Sequence, residues 1–218
     1  WIMAFLAGSV GSIASVSDKT LLFLILSGLA TGGSWLCYFK ALQLGDVNKV
    51  TPIDKSSTVL TMLMAAVLLK EEINILKAIC IIAIGIGTYL MITKKESSAK
   101  VTKGSWLIFA ILSAIFASLT AILGKVGITD IESNLGTAIR TIVVLIMAWL
   151  VVIVTGKTDK LKNIDGKSLL FICLSGITTG LSWLCYYRAL QDGLASVVVP
   201  IDKLSIVVTI AFSCFILK

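Results

Sequence analysis

The chain alternates long, mostly uncharged apolar stretches with short polar segments, and this pattern predicts its helices. Seven of these stretches hold about 20 residues or more, the length that crosses a bilayer as an α-helix. Residues 1–8 resemble the end of an eighth helix. Apolar and polar positions do not alternate within the stretches, as they would in the strands of a membrane β-barrel. The sequence therefore predicts an all-α integral membrane protein with seven full spans and one partial span. The full spans are 20–39, 47–69, 73–93, 104–124, 133–156, 168–187 and 195–217.

The chain contains an internal repeat. When residues 21–70 are aligned with residues 169–218, 27 of the 50 positions are identical. The two copies share the words SWLCY, ALQ and PIDK, which are too specific to arise from the composition bias of membrane helices. The protein is therefore predicted to consist of two similar halves.

The same alignment places Trp1 on Trp149 and shows which helices each half contains. Residues 1–93 are interpreted as a first repeat without its first helix and part of its second. Residues 94–103 form a polar linker, and residues 104–218 form a second repeat without its last helix. A complete repeat then has five helices and a complete protein ten. Because five is odd, consecutive repeats enter the membrane from opposite sides, and such inverted repeats are typical of secondary transporters.

Composition and charge exclude nucleic-acid binding. The chain is 57% hydrophobic and 14% charged, whereas soluble domains carry about 25% charged residues. The net charge of +7 comes from basic residues that apolar spans separate and that form no stripe with aromatic residues. Lysines concentrate in the linker and in the loop 157–167. By the positive-inside rule, this bias predicts a cytoplasmic linker.

Enzymatic and metal-dependent functions also find little support in the sequence. The chain has no histidine, and its five cysteines show no C-x-x-C spacing, so we predict no metal site, disulfide framework or cofactor. No span combines a nucleophile with a base, which argues against an enzyme. A non-transporting membrane scaffold or receptor remains an alternative to a transporter.

Asp54 and Asp202 are the strongest candidates for function. An ionisable side chain inside a span costs roughly 2.5–3.5 kcal/mol on insertion scales, so each one is expected to have a structural or functional role. Each aspartate lies two residues after a proline and directly before a lysine, Lys55 or Lys203. Proline disrupts the interior of a helix, so the motif predicts a helix break that lines a polar cavity. The alternative is an interfacial ion pair that only fixes a helix end.

Lys40 and Arg188 occupy matching positions, each 14 residues before the aspartate of its repeat. We hypothesise the ion pairs Lys40–Asp54 and Arg188–Asp202, and the alternative is that both cations extend independently to the membrane surface. In inverted repeats, the group around Asp54 should lie toward one face of the membrane and the group around Asp202 toward the other. Two such clusters would suit two alternating gates.

Arg140 stands alone inside its predicted span. It is expected either to bind an anionic substrate group or loop carboxylate, or to extend to the interface. Trp35 and Trp183 match each other in the repeat and are expected to pack in the protein or, alternatively, to stack on a substrate. The glycines of both copies have a spacing that favours close helix approach, and they are Gly28, Gly32, Gly33, Gly176 and Gly180.

The repeated motifs resemble a known family. The run WLCYFKALQ, the PIDK motif at 52–55 and the helix end LLKEE resemble the EamA branch of the drug/metabolite transporter superfamily, and the second copy resembles it more closely. The resemblance covers essentially the whole chain. It implies ten helices in two inverted repeats and transport of small metabolites, often amino acids or related compounds, across the plasma or inner membrane. A multidrug exporter of the same superfamily is a further alternative, although the span 104–124 lacks the carboxylate that a proton-coupled exporter would need.

Overall fold

The computed structural model describes residues 1–93, 105–156, 158, 164–205 and 207–208, and all regular structure in these residues is helical. The prediction of an all-α protein is therefore confirmed. The linker, residue 206 and residues 209–217 of the final predicted span lie outside the described residues. The helices are α1 (Ile2–Leu6), a 3₁₀ helix (Ser9–Ser15), α2 (Asp18–Leu44), α3 (Val47–Lys55), α4 (Ser57–Leu68), α5 (Ile75–Thr93), α6 (Ser105–Gly127), α7 (Ser133–Val154), α8 (Gly166–Asp192) and α9 (Ala195–Lys203).

Four of these helices, α2, α6, α7 and α8, are long and apolar enough to cross a membrane. They have between 22 and 27 residues, and a helix rises 1.5 Å per residue, so each exceeds the hydrocarbon core of about 30 Å. Helix α5 contributes a shorter apolar segment, Ile75–Leu90. The protein is therefore a multi-pass membrane protein.

The predicted span 47–69 is divided at one residue, since α3 ends at Lys55 and α4 begins at Ser57. The second copy behaves alike: α9 ends at Lys203, and Leu204 forms a turn before helical residues 205, 207 and 208. The Ser56 hydroxyl donates to the Ile53 carbonyl (2.6 Å), a contact that competes with helical bonding, but Leu204 has no hydroxyl. Both motifs carry a proline inside the short helix, and its missing N–H leaves a carbonyl of the preceding turn without its helical bond. Ser56 and Leu204 keep right-handed helical angles, and the Ser56 N–H still bonds to the Pro52 carbonyl at 3.0 Å, so the predicted disturbance is a one-residue irregularity in the helix.

The described residues form two compact units. The first contains residues 1–32 and 123–192, hence α1, the start of α2, the end of α6, α7 and α8. Helix α7 packs against both α8 and α1. Leu24, Ile128, Leu135 and Leu190 are fully buried in this unit. Helix α2 approaches α7 closely at Gly28, where a β-carbon would stand 2.8 Å from Cβ of Val143.

The second unit contains residues 33–122 and the described residues from 193 onward. Helix α3 packs against α5, and α4 packs against α9. Ala41, Val50 and Ala110 form a buried cluster in this unit, next to the partly buried Trp106. Each unit takes residues from both halves of the sequence, so the repeat and the compact units divide the chain differently.

Candidate functional site

Both Asp–Lys pairs lie at the C-terminal ends of short helices, directly before the helix breaks. Asp54 and Lys55 end α3, with 4.0 Å between Asp54 Oδ2 and Lys55 Nζ. Asp202 and Lys203 end α9, with 3.2 Å between Asp202 Oδ2 and Lys203 Nζ. A nine-residue helix is about 14 Å long, half of the hydrocarbon core. Each pair therefore lies at the far end of a helix that is too short to cross the hydrocarbon core by itself.

The two pairs come together in the second unit. Lys55 interacts electrostatically with Lys203 and Asp202 as well as with its neighbour Asp54. Helix α4, which continues from α3 after the break, packs along α9. We call these four residues the central charge cluster, and it holds two positive and two negative charges. The sequence predicts one charge group toward each face of the membrane, whereas Lys55 lies within electrostatic range of the second pair. The position of each pair relative to the two faces stays a prediction.

Asp54 is held more firmly than its counterpart. The Ser113 hydroxyl of α6 donates to Asp54 Oδ1 at 2.7 Å. Ser113 is fully buried, and its carbonyl accepts a hydrogen bond from the Ser34 hydroxyl of α2 at 3.1 Å. Helix α6 and the second half of α2 therefore fix the position of this carboxylate. Asp202 has Lys203 as its hydrogen-bonding partner in the described part of the chain.

Neither predicted ion pair of Lys40 and Arg188 forms as expected. Arg188 Nε bonds instead to Asp192 Oδ2 (2.8 Å), one turn further along α8, and both side chains are mostly exposed. An exposed pair of this spacing stabilises a helix by about 0.3–0.5 kcal/mol, too little to serve as a gate. Lys40 is exposed and has no ion pair among the described residues. Asp54 instead accepts a hydrogen bond from Ser113 and pairs with Lys55. The charged groups therefore find partners on the same helix or within the central charge cluster, and not the predicted ones.

Arg140 lies buried in the first unit, with only 3% of its surface exposed. Its Nε donates to Ser27 Oγ at 3.2 Å and its Nη2 to Thr31 Oγ1 at 2.6 Å, both on α2. The guanidinium carbon lies over two aromatic rings of α8, 4.2 Å from the centre of Trp183 and 4.8 Å from that of Tyr187. The side chain is therefore enclosed by α2 and α8 and does not extend to the interface.

The matched tryptophans have different environments. Trp35 is 44% exposed. Trp183 is partly buried and stacks on Tyr187, with 5.7 Å between ring centres and 18° between ring planes. Trp183 therefore packs within the protein: it stacks on Tyr187, and the guanidinium of Arg140 lies over its ring.

Several further residues complete these sites and were not predicted from the sequence. Tyr187 and Ser113 carry no repeat signal, since their roles depend on helices far away in sequence. Gln191 belongs to the repeated ALQ word, and its side-chain amide donates to the Ile128 carbonyl at 2.8 Å and to that of Ile131. Glu71 of the LLKEE motif caps α9, accepting bonds from the backbone N–H groups of Ala195 (2.7 Å) and Ser196 (2.9 Å). Those two motifs could have drawn attention to Gln191 and Glu71.

The chain is similar to known transporter sequences. The model of the EamA-like transporter family matches residues 1–93 and 104–218. An uncharacterized transporter in the cobO 3′ region of Sinorhizobium sp is 48% identical over 113 residues, which cover 52% of this chain and 80% of that protein. The uncharacterized transporter YxxF of Bacillus subtilis (strain 168) is 26% identical over 208 residues, 91% of this chain and 64% of that protein's length. No solved structure matches the chain. The chain belongs to the EamA-like transporter family.

Proposed function

We propose that the protein is a secondary transporter that moves a small metabolite across the plasma or inner membrane by alternating access between two inverted repeats. The observation that supports this proposal is the central charge cluster, formed where two proline-containing helices end inside the membrane. Interrupted helices whose ends meet near the bilayer centre build the substrate and ion sites of many secondary transporters.

The cluster offers a physical basis for two access states. Lys55 stands 4.0 Å from Asp54, a loose contact, and it also interacts with Asp202. The lysine can therefore exchange carboxylate partners at little cost when the repeats rock against each other. A pair that forms in only one state biases the equilibrium by its differential energy, about 1–3 kcal/mol. Partner exchange within one cluster thus takes the place of two separate gates.

The repeated breaks favour a transporter over an enzyme or a scaffold. A scaffold has no need for ionisable residues inside its spans, since each of them costs free energy during insertion. The charges of the cluster balance, so it can rearrange without leaving a net charge in the membrane.

The proposal is tested by measuring solute flux. Purified protein in proteoliposomes is expected to exchange at least one radiolabelled metabolite from a panel of amino acids and organic acids, at a rate that saturates with concentration. Protein-free liposomes and liposomes with the Asp54→Asn variant are the controls. Absence of flux for every solute, by a protein that remains folded, would favour the scaffold or receptor alternative. Selective efflux of lipophilic cations would favour the multidrug alternative.

A further inference from the structure

Arg140 is a buried cation whose partners are all neutral in the part of the chain that the structure describes. Its hydrogen bonds go to two hydroxyl groups, and its remaining contacts are aromatic rings. No aspartate or glutamate among the described residues lies within ion-pair distance of it. An uncompensated charge inside a membrane span is costly. An anion bound next to Arg140 would balance this charge.

The guanidinium is oriented in a way that leaves one edge available. Ser27 and Thr31 accept from Nε and Nη2, which form one edge of the planar group. Nη1 has no acceptor among the described residues, so the edge formed by Nη1 and Nη2 still offers parallel N–H bonds. This edge matches the two oxygens of a carboxylate. The stacked rings of Trp183 and Tyr187 hold the plane in place.

A second donor stands nearby without a partner. The Tyr187 hydroxyl is fully buried and forms no hydrogen bond with any described residue. A β-carbon on Gly124 would stand 2.8 Å from this hydroxyl and 3.2 Å from Ser27 Oγ, which accepts from Arg140. The Tyr187 hydroxyl and Ser27 therefore both lie next to Gly124. A buried hydroxyl without a partner destabilises the protein, and an incoming acceptor would remove that cost.

We propose that Arg140 and Tyr187 bind the carboxylate of the transported molecule, with Trp183 covering the guanidinium. This inference rests on the proposed transport function. A monocarboxylate fits better than a phosphate because the site supplies one positive charge, and a dianion would leave one negative charge unbalanced within the span. Trp183 is partly exposed, so it is the side chain through which the site can open.

The test is ligand-induced thermal stabilisation of the full chain in detergent. The probes are acetate, propionate and benzoate, each compared with its neutral amide, and with inorganic phosphate. A ligand that binds only the folded protein raises its melting temperature. Carboxylates are expected to stabilise the protein in a saturable way, whereas the amides and phosphate do not. Equal shifts with acids and amides, or a larger shift with phosphate, would refute the carboxylate site.

Variants localise the effect. Arg140→Gln is expected to weaken carboxylate binding about tenfold or more, since hydrogen bonds to charged groups are lost. Arg188→Gln is the matched control, because Arg188 is exposed and already paired with Asp192, and it should bind like the parent. If Arg140→Gln does not fold, Tyr187→Phe keeps the ring and removes only the hydroxyl, and it should still weaken binding several-fold. Unchanged binding by Tyr187→Phe or by a folded Arg140→Gln would overturn the site.

The same measurements separate this inference from the proposed function. Saturable carboxylate binding that depends on Arg140, in a protein that shows no flux, would uphold the site and contradict the transporter. Flux of a carboxylate with the same KM in the parent and in a folded Arg140→Gln variant would uphold the transporter and contradict the site.

Discussion

At the scale of single residues, Asp54 and Asp202 show how one motif acquires two environments. Both follow Pro-Ile and precede lysine. Only Asp54 accepts a hydrogen bond from the buried Ser113, and its side chain is 17% exposed compared with 34% for Asp202. Asp54 therefore has a fixed position, whereas Asp202 is held mainly by the adjacent Lys203. In the proposed partner exchange, Asp54 keeps its position while the lysines change their carboxylate partners.

Replacing either aspartate by asparagine should impair transport more than folding. Asparagine keeps the size and one acceptor oxygen, so Asp54→Asn retains the Ser113 bond but leaves a lysine unbalanced in the cluster. We expect at least a tenfold loss of flux in each single variant. Because these side chains are partly exposed, the free energy of unfolding should fall by only about 1 kcal/mol. Proteoliposome flux and thermal unfolding measure the two effects, with Asp192→Asn as an exposed control.

The double variant tests whether the two aspartates belong to one cluster. Residues in one charge network are non-additive by about 0.5–3 kcal/mol, whereas distant residues are additive. The double variant is therefore expected to lose less transport free energy than the sum of the single variants. Strict additivity would mean that the two pairs act independently, as two separate gates would.

Gly28 and Gly176 form another matched pair with unequal surroundings. A β-carbon on Gly28 would meet Val143 at 2.8 Å and the Arg140 carbonyl at 3.1 Å, while a β-carbon on Gly176 would meet no described atom within 4 Å. The prediction of close helix approach is therefore confirmed at Gly28, but it is wrong at Gly176 and Gly180 within the described residues.

Alanine at these two positions should have opposite effects. Gly28→Ala introduces overpacking against α7, which costs about 1–3 kcal/mol. Gly176→Ala should be neutral or stabilise α8 by up to about 1 kcal/mol, because alanine favours helix more than glycine does. Unfolding in mild detergent compares the two variants, and equal destabilisation would show that α8 packs as closely at Gly176 as α2 does at Gly28.

At the scale of helices, Glu71 connects the end of one element to the start of another. Its two carboxylate oxygens accept from the backbone N–H groups of Ala195 and Ser196, which begin α9. The first N–H groups of a helix have no partner within it, and a negative charge there is favourable. Glu71 therefore fixes the short helix that carries Asp202 into the membrane.

Removing this cap should loosen α9. Glu71→Gln keeps one acceptor and loses the charge, and we expect a loss of about 1 kcal/mol in stability. Hydrogen exchange at the amides of Ala195 and Ser196 should accelerate. Glu72→Gln is the matched control, since Glu72 is exposed and its side chain makes no hydrogen bond among the described residues. Unchanged exchange in Glu71→Gln would show that packing against α4 alone holds α9.

The start of α8 has a pH-dependent cap. Hydrogen bonds from the Ser168 side chain and from the Ser168 backbone N–H, the latter to Asp165 Oδ2 at 3.1 Å, lower the pKa of the Asp165 carboxyl. A lowered pKa stabilises the folded helix end above the ordinary aspartate pKa, and the effect is lost as pH falls through the lowered value. Protection of the Ser168 amide from exchange should therefore decline only in acid. In Asp165→Asn the protection should not change with pH in this range.

At the scale of the whole molecule, the lysine distribution makes a topological prediction. The linker carries four lysines, as does the loop 157–167. By the positive-inside rule both segments should be cytoplasmic. In a variant whose native cysteines are replaced, a cysteine introduced at Ser98 is expected to resist impermeant thiol reagents added outside intact cells and to react after permeabilisation. Labelling from outside would place the linker on the opposite face.

The inverted arrangement of the repeats remains a prediction from their odd helix number. The helices around 20–39 and 168–187 should then run in opposite directions through the membrane. Cysteines introduced at Lys19 and Lys167 report on this, because the residues start equivalent helices. Labelling of the two positions from opposite sides is expected, and labelling from the same side would contradict the inversion.

The sequence by itself determined the helices, the repeat and the helix breaks. In lipid a backbone must satisfy its hydrogen bonds locally, so an apolar run of sufficient length forms a helix wherever the chain folds. The prolines at 52 and 200 interrupt that local bonding, and their effect was therefore predictable from the motif.

Only the tertiary structure decided which side chains meet. Arg188 pairs with Asp192, the two Asp–Lys pairs share one cluster, and Arg140 lies between hydroxyls of α2 and rings of α8. The SWLCY motif is identical in both copies, yet its tryptophans, Trp35 and Trp183, have different neighbours. Side-chain partners come from segments more than a hundred residues away in the chain, as with Arg140 and Thr31. Helical periodicity and sequence spacing say nothing about those distances, because helix packing sets them.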